Sequence, residues 1–184
     1  MENHTLALLA SFIAMVFVVM AYFVKNKSHY LLFQVLCILF LVISYFFTMQ
    51  FFAMVGLAIG LFRTVMFYLY EKKEKAAPIF WSFIFSIFTI ISYLIINCGV
   101  LKATQPLDIL CLSSLVMYAF IFRIRNLKIV RFTMLVPLCL SVLFNILTQA
   151  AIFATLSYGF ELCANLISIY KYHIHGENKD KSAH

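Results

Sequence analysis

Residues 5–27 read TLALLASFIAMVFVVMAYFVKNK, an unbroken apolar block that ends in the basic turn Lys25-Asn26-Lys27. A helix that crosses a bilayer needs about 20 mostly apolar residues, and residues 5–24 supply that length. Similar blocks recur along the 184-residue chain, which is 65% hydrophobic and only 11% charged. A soluble globule of this size could not cover so much apolar surface. The sequence therefore predicts an all-α, polytopic membrane protein whose exterior contacts the lipid bilayer.

Charged residues, Pro, Asn and Gln divide the chain into seven predicted transmembrane helices. They are expected near residues 5–24, 30–48, 50–70, 78–97, 107–122, 129–148 and 151–172. The connections at residues 48–50 and 148–150 are short and uncharged, so merged or re-entrant segments stay an alternative there. We expect residues 1–184 to form a single transmembrane domain, with a polar cytoplasmic tail at residues 173–184.

The distribution of the basic residues tests this number of spans. Twelve of the 14 lysines and arginines lie on one side of the alternating connections, Lys102 lies on the other side, and Arg63 lies inside a span. The positive-inside rule then predicts an N-terminus outside the cell and a C-terminus in the cytoplasm. The net charge of +7 is spread over several short segments, which fits anionic lipid and does not indicate binding to nucleic acid.

Two segments of equal length suggest an internal repeat. Residues 5–70 and 107–172 are each 66 residues long and each contain three predicted spans, with the linker helix at 78–97 between them. Because three is odd, the linker restores the orientation, and two parallel three-helix repeats follow. The alternative is that any two three-span units look alike because the membrane imposes one composition. The matching anchors are Lys25-x-Lys27 with Arg123-x-Arg125, and Tyr68-x-Tyr70 with Tyr170-x-Tyr172.

Several short motifs accompany this plan: the basic turn at Lys25, the third-span stretch Gly56-Leu-Ala-Ile-Gly60-Leu-Phe-Arg63-Thr64, Asn145 in the sixth span and Asn165 in the seventh. With these residues the whole chain resembles the YgjV family of bacterial inner-membrane proteins. The three-plus-one-plus-three plan also resembles the SWEET sugar transporters, the half-size SemiSWEETs and the PnuC vitamin transporters. These resemblances imply a location in the inner membrane and a substrate position at Asn165.

Ionisable side chains inside a span are the strongest candidates for a functional site, because a charge near the bilayer centre costs about 3 kcal/mol or more. Arg63 lies in the third predicted span and Glu161 near the middle of the seventh. At a repeat offset of 102, Arg63 and Asn165 become equivalent, and Glu161 lies one turn above Asn165 on the same helix face. We expect an ion pair between Arg63 and Glu161, and a hydrated cavity between Arg63 and Asn165.

The predicted substrate-binding residues are Arg63, Glu161, Asn165 and Asn145. Arg63 would bind a carboxylate or phosphate of a solute, Glu161 would act as a counter-ion or proton-coupling group, and the asparagines would supply hydrogen bonds. The structural alternative is an ion pair and two amides that only hold helices together. The sequence therefore predicts a transporter or facilitator of an unidentified small polar solute, with an anion as one candidate.

The second functional hypothesis is a non-transporting binding or assembly protein that acts through a partner. The motifs Gly56-x-x-x-Gly60 and Ala10-x-x-x-Ala14 permit close helix packing and leave a homo-oligomer open. An enzyme is not expected, because neither G-x-S-x-G nor H-E-x-x-H occurs and no histidine lies inside a predicted span. No cofactor or metal is expected either, since the five cysteines lack C-x-x-C spacing and His173-x-His175 lacks further ligands nearby.

Overall fold

The computed structural model describes residues 2–47, 51–96, 107–147 and 152–174, and this part of the chain contains helices and no strand. The two short connections after the second and sixth predicted spans lie outside the described residues. The loop that contains Lys102 and most of the polar tail lie outside them as well.

The helices agree closely with the apolar blocks of the sequence. In chain order they are α1 (Glu2–Phe23), α2 (Lys27–Phe47), α3 (Phe51–Lys72), α4 (Ile79–Tyr93), α5 (Asp108–Ile121), α6 (Leu127–Thr133), α7 (Leu135–Leu147) and α8 (Ile152–Ile169). A π-helical turn over Tyr170–Ile174 continues α8. Five stretches of the described chain are long and apolar enough to cross a membrane, and α5 is a shorter apolar helix. The predicted all-helical, multi-pass character is confirmed, while the arrangement of seven spans in two repeats stays a prediction.

Two helices begin at the same type of cap. The Oδ1 atom of Asn26 accepts a hydrogen bond from the Ser28 amide, and that of Asn126 accepts one from the Lys128 amide, both at 2.9 Å. Each asparagine thereby pairs one of the amides that a first helical turn leaves without a partner. The two caps are 100 residues apart. Superposing the two caps pairs Lys25 with Arg125. The predicted repeat paired Lys25 with Arg123, so the two alignments differ by two residues at this turn.

Pro137 accounts for the interruption between α6 and α7. A proline ring clashes with the carbonyl group four residues earlier, which here belongs to Thr133, the last residue of α6. The amides of Met134 and Leu138 still donate to the carbonyl oxygens of Val130 and Met134, at 2.9 and 3.2 Å. The hydrogen-bonded ladder thus continues around the break, and α6 and α7 act as one stretch of the bundle.

Side-chain contacts fix the relative directions of the helices. Ser44 near the end of α2 donates a 2.9 Å hydrogen bond to the carbonyl oxygen of Ala7 in the first half of α1, so these two helices are antiparallel. Lys27 at the start of α2 forms a 3.1 Å ion pair with Glu71 at the end of α3. Lys27, which the sequence analysis assigned to a connection, is therefore a buried and paired residue of α2.

The helices close into a ring. α1 packs on α2, α2 on α3, α3 on α4 and α5, α4 on α5, α5 on α7, α7 on α8, and α8 returns to α1. On α1 the buried stripe consists of small residues, which allow α2 and α8 to approach closely: Ala7, Ala10, Ala14, Val18 and Ala21. The opposite stripe is large, apolar and exposed, as a lipid-facing surface requires: Leu6, Leu9, Phe12, Val16 and Met20.

Candidate functional site

All four residues predicted for the site are buried. Their exposed fractions are 4% for Arg63, 8% for Glu161, 7% for Asn145 and 0% for Asn165. Burial of polar groups inside an apolar bundle requires hydrogen-bond partners, and those partners differ for each of the four. The structure therefore separates the predicted set into groups with different surroundings.

Glu161 joins three helices. Its Oε1 atom accepts a 2.9 Å hydrogen bond from the Tyr22 hydroxyl on α1 and a 3.4 Å hydrogen bond from Gln34 Nε2 on α2. Within the described residues its second oxygen, Oε2, accepts no hydrogen bond. Oε2 is not fully buried either. One carboxylate oxygen is thus held by α1 and α2, and the other is left available.

A small pocket lies between α1, α2 and α8, and Glu161 forms one end of it. The pocket has a volume of about 20 Å³, which is enough for one or two water molecules. The wall includes Ala14 and Val18 of α1, Cys37 and Tyr45 of α2, and Tyr158 of α8. Neither Lys nor Arg is among the described residues that line it. The pocket extends from Glu161 toward the end of the bundle at which α1 begins.

Arg63 lies in a different environment, between α3 and α5. Its Nη1 atom donates a 3.0 Å hydrogen bond to the carbonyl oxygen of Leu115. Its guanidinium carbon lies 5.9 Å from the ring centre of Tyr118 and 5.4 Å from that of Phe122, which are distances of cation–π contact. Its buried Nε atom has no hydrogen-bond partner in the part of the chain that the structure describes. The guanidinium is therefore stabilised by a carbonyl group and two rings.

The ion pair expected between Arg63 and Glu161 does not form in this structure. Each charged group uses other partners, because Arg63 leans toward α5 whereas Glu161 leans toward α1 and α2. Aromatic rings occupy the region between them. Tyr22 and Tyr30 have ring centres 5.6 Å apart, and those of Tyr30 and Phe122 are 6.2 Å apart.

The two asparagines bind backbone carbonyl oxygens. Asn165 Nδ2 donates to the carbonyl oxygen of Arg131 at 2.8 Å, and Asn145 Nδ2 donates to that of Ser141 at 2.8 Å within α7. The Oδ1 atom of Asn165 is buried and has no hydrogen-bond partner among the described residues. Neither asparagine lines the pocket at Glu161. The predicted contact across a cavity between Arg63 and Asn165 is therefore not among the interactions of either side chain here.

Arg131 is a buried polar residue whose role the sequence analysis missed. Its side chain is 1% exposed, and its Nη2 atom donates to the carbonyl oxygens of Tyr22 and Val24 at 3.0 and 2.6 Å. These carbonyls lie at the end of α1, where helical acceptors lack partners and a positive charge is favourable. The sequence indicated this role only by placing Arg131 inside the predicted span at 129–148. Arg131 was instead counted among the basic residues of the preceding connection.

The same end of α1 is held by residues beyond α8. The Tyr172 hydroxyl donates to the carbonyl oxygen of Phe23 at 2.7 Å, and the guanidinium carbon of Arg131 lies 5.0 Å from the Tyr172 ring centre. The Lys171 Nζ atom lies 5.9 Å from the Phe23 ring centre. Glu161 thus has a pocket on one side along the bundle and a closely bonded group of side chains on the other.

Comparison with known proteins identifies a family for the chain. The family model of Imp-YgjV, described as a bacterial inner membrane protein, matches residues 5–175. No curated protein and no solved structure matches. The resemblance to SWEET and PnuC transporters therefore stays a prediction. Since the family match covers nearly the whole chain and the fold is a bundle of apolar helices, this protein belongs to the Imp-YgjV family of bacterial inner membrane proteins.

Proposed function

We propose that this protein is a transporter or facilitator of a small polar solute, and that the solute binds in the pocket at Glu161. The observation that carries the proposal is a buried carboxylate, inside an apolar bundle, that has no cationic partner among the described residues and lines a pocket. A carboxylate in a membrane interior is costly and is retained mostly for function. A solute site accounts for that cost.

The packing of the helices supports a two-unit transporter. In the first unit α2 packs on both α1 and α3, and in the second unit α7 packs on both α5 and α8. The units meet where α8 contacts α1 and where α3 contacts α5. A twofold axis along the membrane normal would exchange these two contacts, as expected for parallel repeats. Movement of one unit against the other would alter both.

Each contact between the units carries one of the two ionisable residues predicted for the site. Glu161 of α8 binds Tyr22 of α1, and Arg63 of α3 contacts Tyr118 of α5. A charged side chain on the third helix of one unit therefore meets a tyrosine on the first helix of the other, in both places. This correspondence supports a mechanism in which the two interfaces open and close together.

The unequal ends of the bundle support alternating access. The pocket lies on the side of Glu161 toward the start of α1, while Arg131, Tyr172 and Asn165 bond neighbouring helices on the other side. With the orientation predicted from the basic residues, the pocket would face the outside and the bonded side would face the cytoplasm. The protein would then be in a conformation closed to the cytoplasm.

The second candidate function is a membrane-embedded binding or assembly protein without a translocation cycle. Arg63 and Asn165 each donate to a backbone carbonyl oxygen of another helix, as side chains that stabilise helix packing do. This observation favours a structural role for these two residues. Oε1 of Glu161 also joins helices, but its second oxygen adds no contact between them.

Flux measurements on purified protein in liposomes test the proposal. The probes are erythritol as a neutral polyol, guanidinium as a permanent cation and phosphate as an anion. We expect one class to enter faster than in protein-free liposomes, and Glu161→Gln to abolish that difference. Glu74→Gln, the same substitution at an exposed carboxylate, is the matched control and should retain the flux. Equal entry of all three probes with and without protein would exclude transport of these classes and favour the assembly function.

A further inference from the structure

We infer that the solute bound at Glu161 is a small cation, and that the pocket excludes anions. This inference deepens the proposed function and rests on it for the role of the pocket as a solute site. It differs from the expectation drawn from the sequence, where Arg63 suggested an anion. The basis is the set of groups that actually face the pocket.

The charge of the pocket comes from Glu161. Among the described residues that line it, Glu161 is the one carboxylate and none is a lysine or arginine. The two buried arginines bind other groups: Arg63 donates to the carbonyl oxygen of Leu115, and Arg131 donates to carbonyl oxygens at the end of α1. An anion in the pocket would therefore meet a like charge in a medium of low dielectric constant, whereas a cation would be attracted.

The hydrogen-bonding groups of the pocket also favour a cation. Tyr22 and Gln34 both donate to Oε1 of Glu161, so the donors around the carboxylate are already used on one oxygen. Oε2 is an acceptor, and an N–H group of a cationic solute is the complementary partner. Tyr45 and Tyr158 add aromatic side chains to the wall, and aromatic rings attract cations through their electron-rich faces.

The size of the pocket restricts the cation further. Its volume of about 20 Å³ accommodates one group of about the size of a water molecule. Ammonium, or one amino group of guanidinium, is of that size. N-methylglucamine, a bulky sugar amine, is not, and it therefore serves as the inert counter-cation in the experiments below.

The first experiment measures thermal unfolding of the purified protein with millimolar guanidinium chloride, which is far below denaturing concentrations. At about ten times the dissociation constant, a ligand specific for the folded state should raise the melting temperature by about 3–6 °C. We expect that shift in the wild type and in Glu74→Gln, and none in Glu161→Gln. Phosphate added as its N-methylglucamine salt should produce no shift. Stabilisation by phosphate instead of guanidinium, or an undiminished shift in Glu161→Gln, would overturn the inference.

The second experiment leaves Glu161 unchanged and uses Cys37, a buried pocket residue, as the reporter. A variant that retains Cys37 alone has alanine at the other four cysteines: Cys98, Cys111, Cys139 and Cys163. After correction for reactivity in water, cationic aminoethyl methanethiosulfonate should label Cys37 at least about tenfold faster than the anionic sulfonatoethyl reagent, since attraction raises the local concentration of the cation. Guanidinium should slow the labelling. Equal rates, or faster labelling by the anion, would contradict a cation pocket.

The binding and flux measurements together separate the two proposals. If guanidinium stabilises the protein through Glu161 but does not cross proteoliposomes, the cation site stands and the transport proposal fails. If erythritol or phosphate crosses by a route that Glu161→Gln abolishes, while guanidinium neither stabilises the protein nor slows labelling of Cys37, transport stands and the cation inference fails.

Discussion

Replacing Arg131 by methionine should destabilise the protein and loosen the end of α1. Methionine keeps an unbranched apolar chain in the buried space but removes the guanidinium. The Nη2 atom would no longer donate to the carbonyl oxygens of Tyr22 and Val24, at 3.0 and 2.6 Å in the wild type. The cation–π contact with Tyr172 would be lost too. These contacts join α6 to α1 and to the turn after α8.

The expected loss follows from the two hydrogen bonds. Bonds from a charged donor contribute about 1.5–3 kcal/mol each, and since these two share one nitrogen we expect a loss of about 2–4 kcal/mol in total. Arg125→Met, at an exposed position of the same connection, is the matched control and should cost less than about 0.5 kcal/mol. Reversible unfolding in mixed micelles, followed by far-ultraviolet circular dichroism, measures both values.

Hydrogen exchange tells a local effect from general destabilisation. In Arg131→Met the amides in the last turn of α1 should exchange faster, while those in the middle of α3 should change little under conditions where global unfolding does not contribute. Equal stabilities of Arg131→Met and Arg125→Met, or unchanged exchange at the end of α1, would refute the proposed role of Arg131 as a cap.

Three further predictions concern the site and the caps. Tyr22→Phe should cost about 1–2 kcal/mol in thermal unfolding, because Glu161 loses its shorter hydrogen bond; an unchanged melting temperature would show that the bond contributes nothing. A double-mutant cycle of Arg63→Met and Glu161→Gln should be additive within about 0.5 kcal/mol, since the two side chains do not touch; a coupling above about 1 kcal/mol would reveal an ion pair in another state. Asn26→Ala and Asn126→Ala should each lower unfolding free energy by about 1 kcal/mol, and values near zero would contradict capping.

The sequence predicted helix positions well because an apolar block long enough to span a bilayer has few other conformations. The predicted span at 107–122 corresponds to α5 (Asp108–Ile121) within a residue at each end. Differences of three and two residues occur at the starts of α2 and α6, which begin at Lys27 and Leu127 rather than at 30 and 129. Lys27 was assigned to the connection on account of its charge, but an ion pair with Glu71 allows it to be buried in the helix.

The partners of the site residues could not be predicted, because depth and charge do not fix the rotation of a helix about its axis. Arg63 was expected to meet Glu161 at similar depth, yet α3 presents it to α5. The two helices approach closely there, since a side-chain carbon added at Gly56 would be in ordinary contact with Leu115, at 3.7 Å. Arg63 reaches the Leu115 carbonyl oxygen at 3.0 Å.

A difference between buried cations and buried carboxylates explains why Glu161, and not Arg63, lies at the pocket. A buried arginine can be satisfied by carbonyl oxygens, which retain a second lone pair even inside a helix, and Arg63 and Arg131 both use this solution. A buried carboxylate needs donors, and the backbone amides of a helix interior are already bonded to carbonyl groups. Glu161 must therefore recruit side chains from other helices, and α1 and α2 supply two donors that reach only Oε1. Because Oε2 accepts no hydrogen bond from the described residues, we expect a cationic ligand to donate to it.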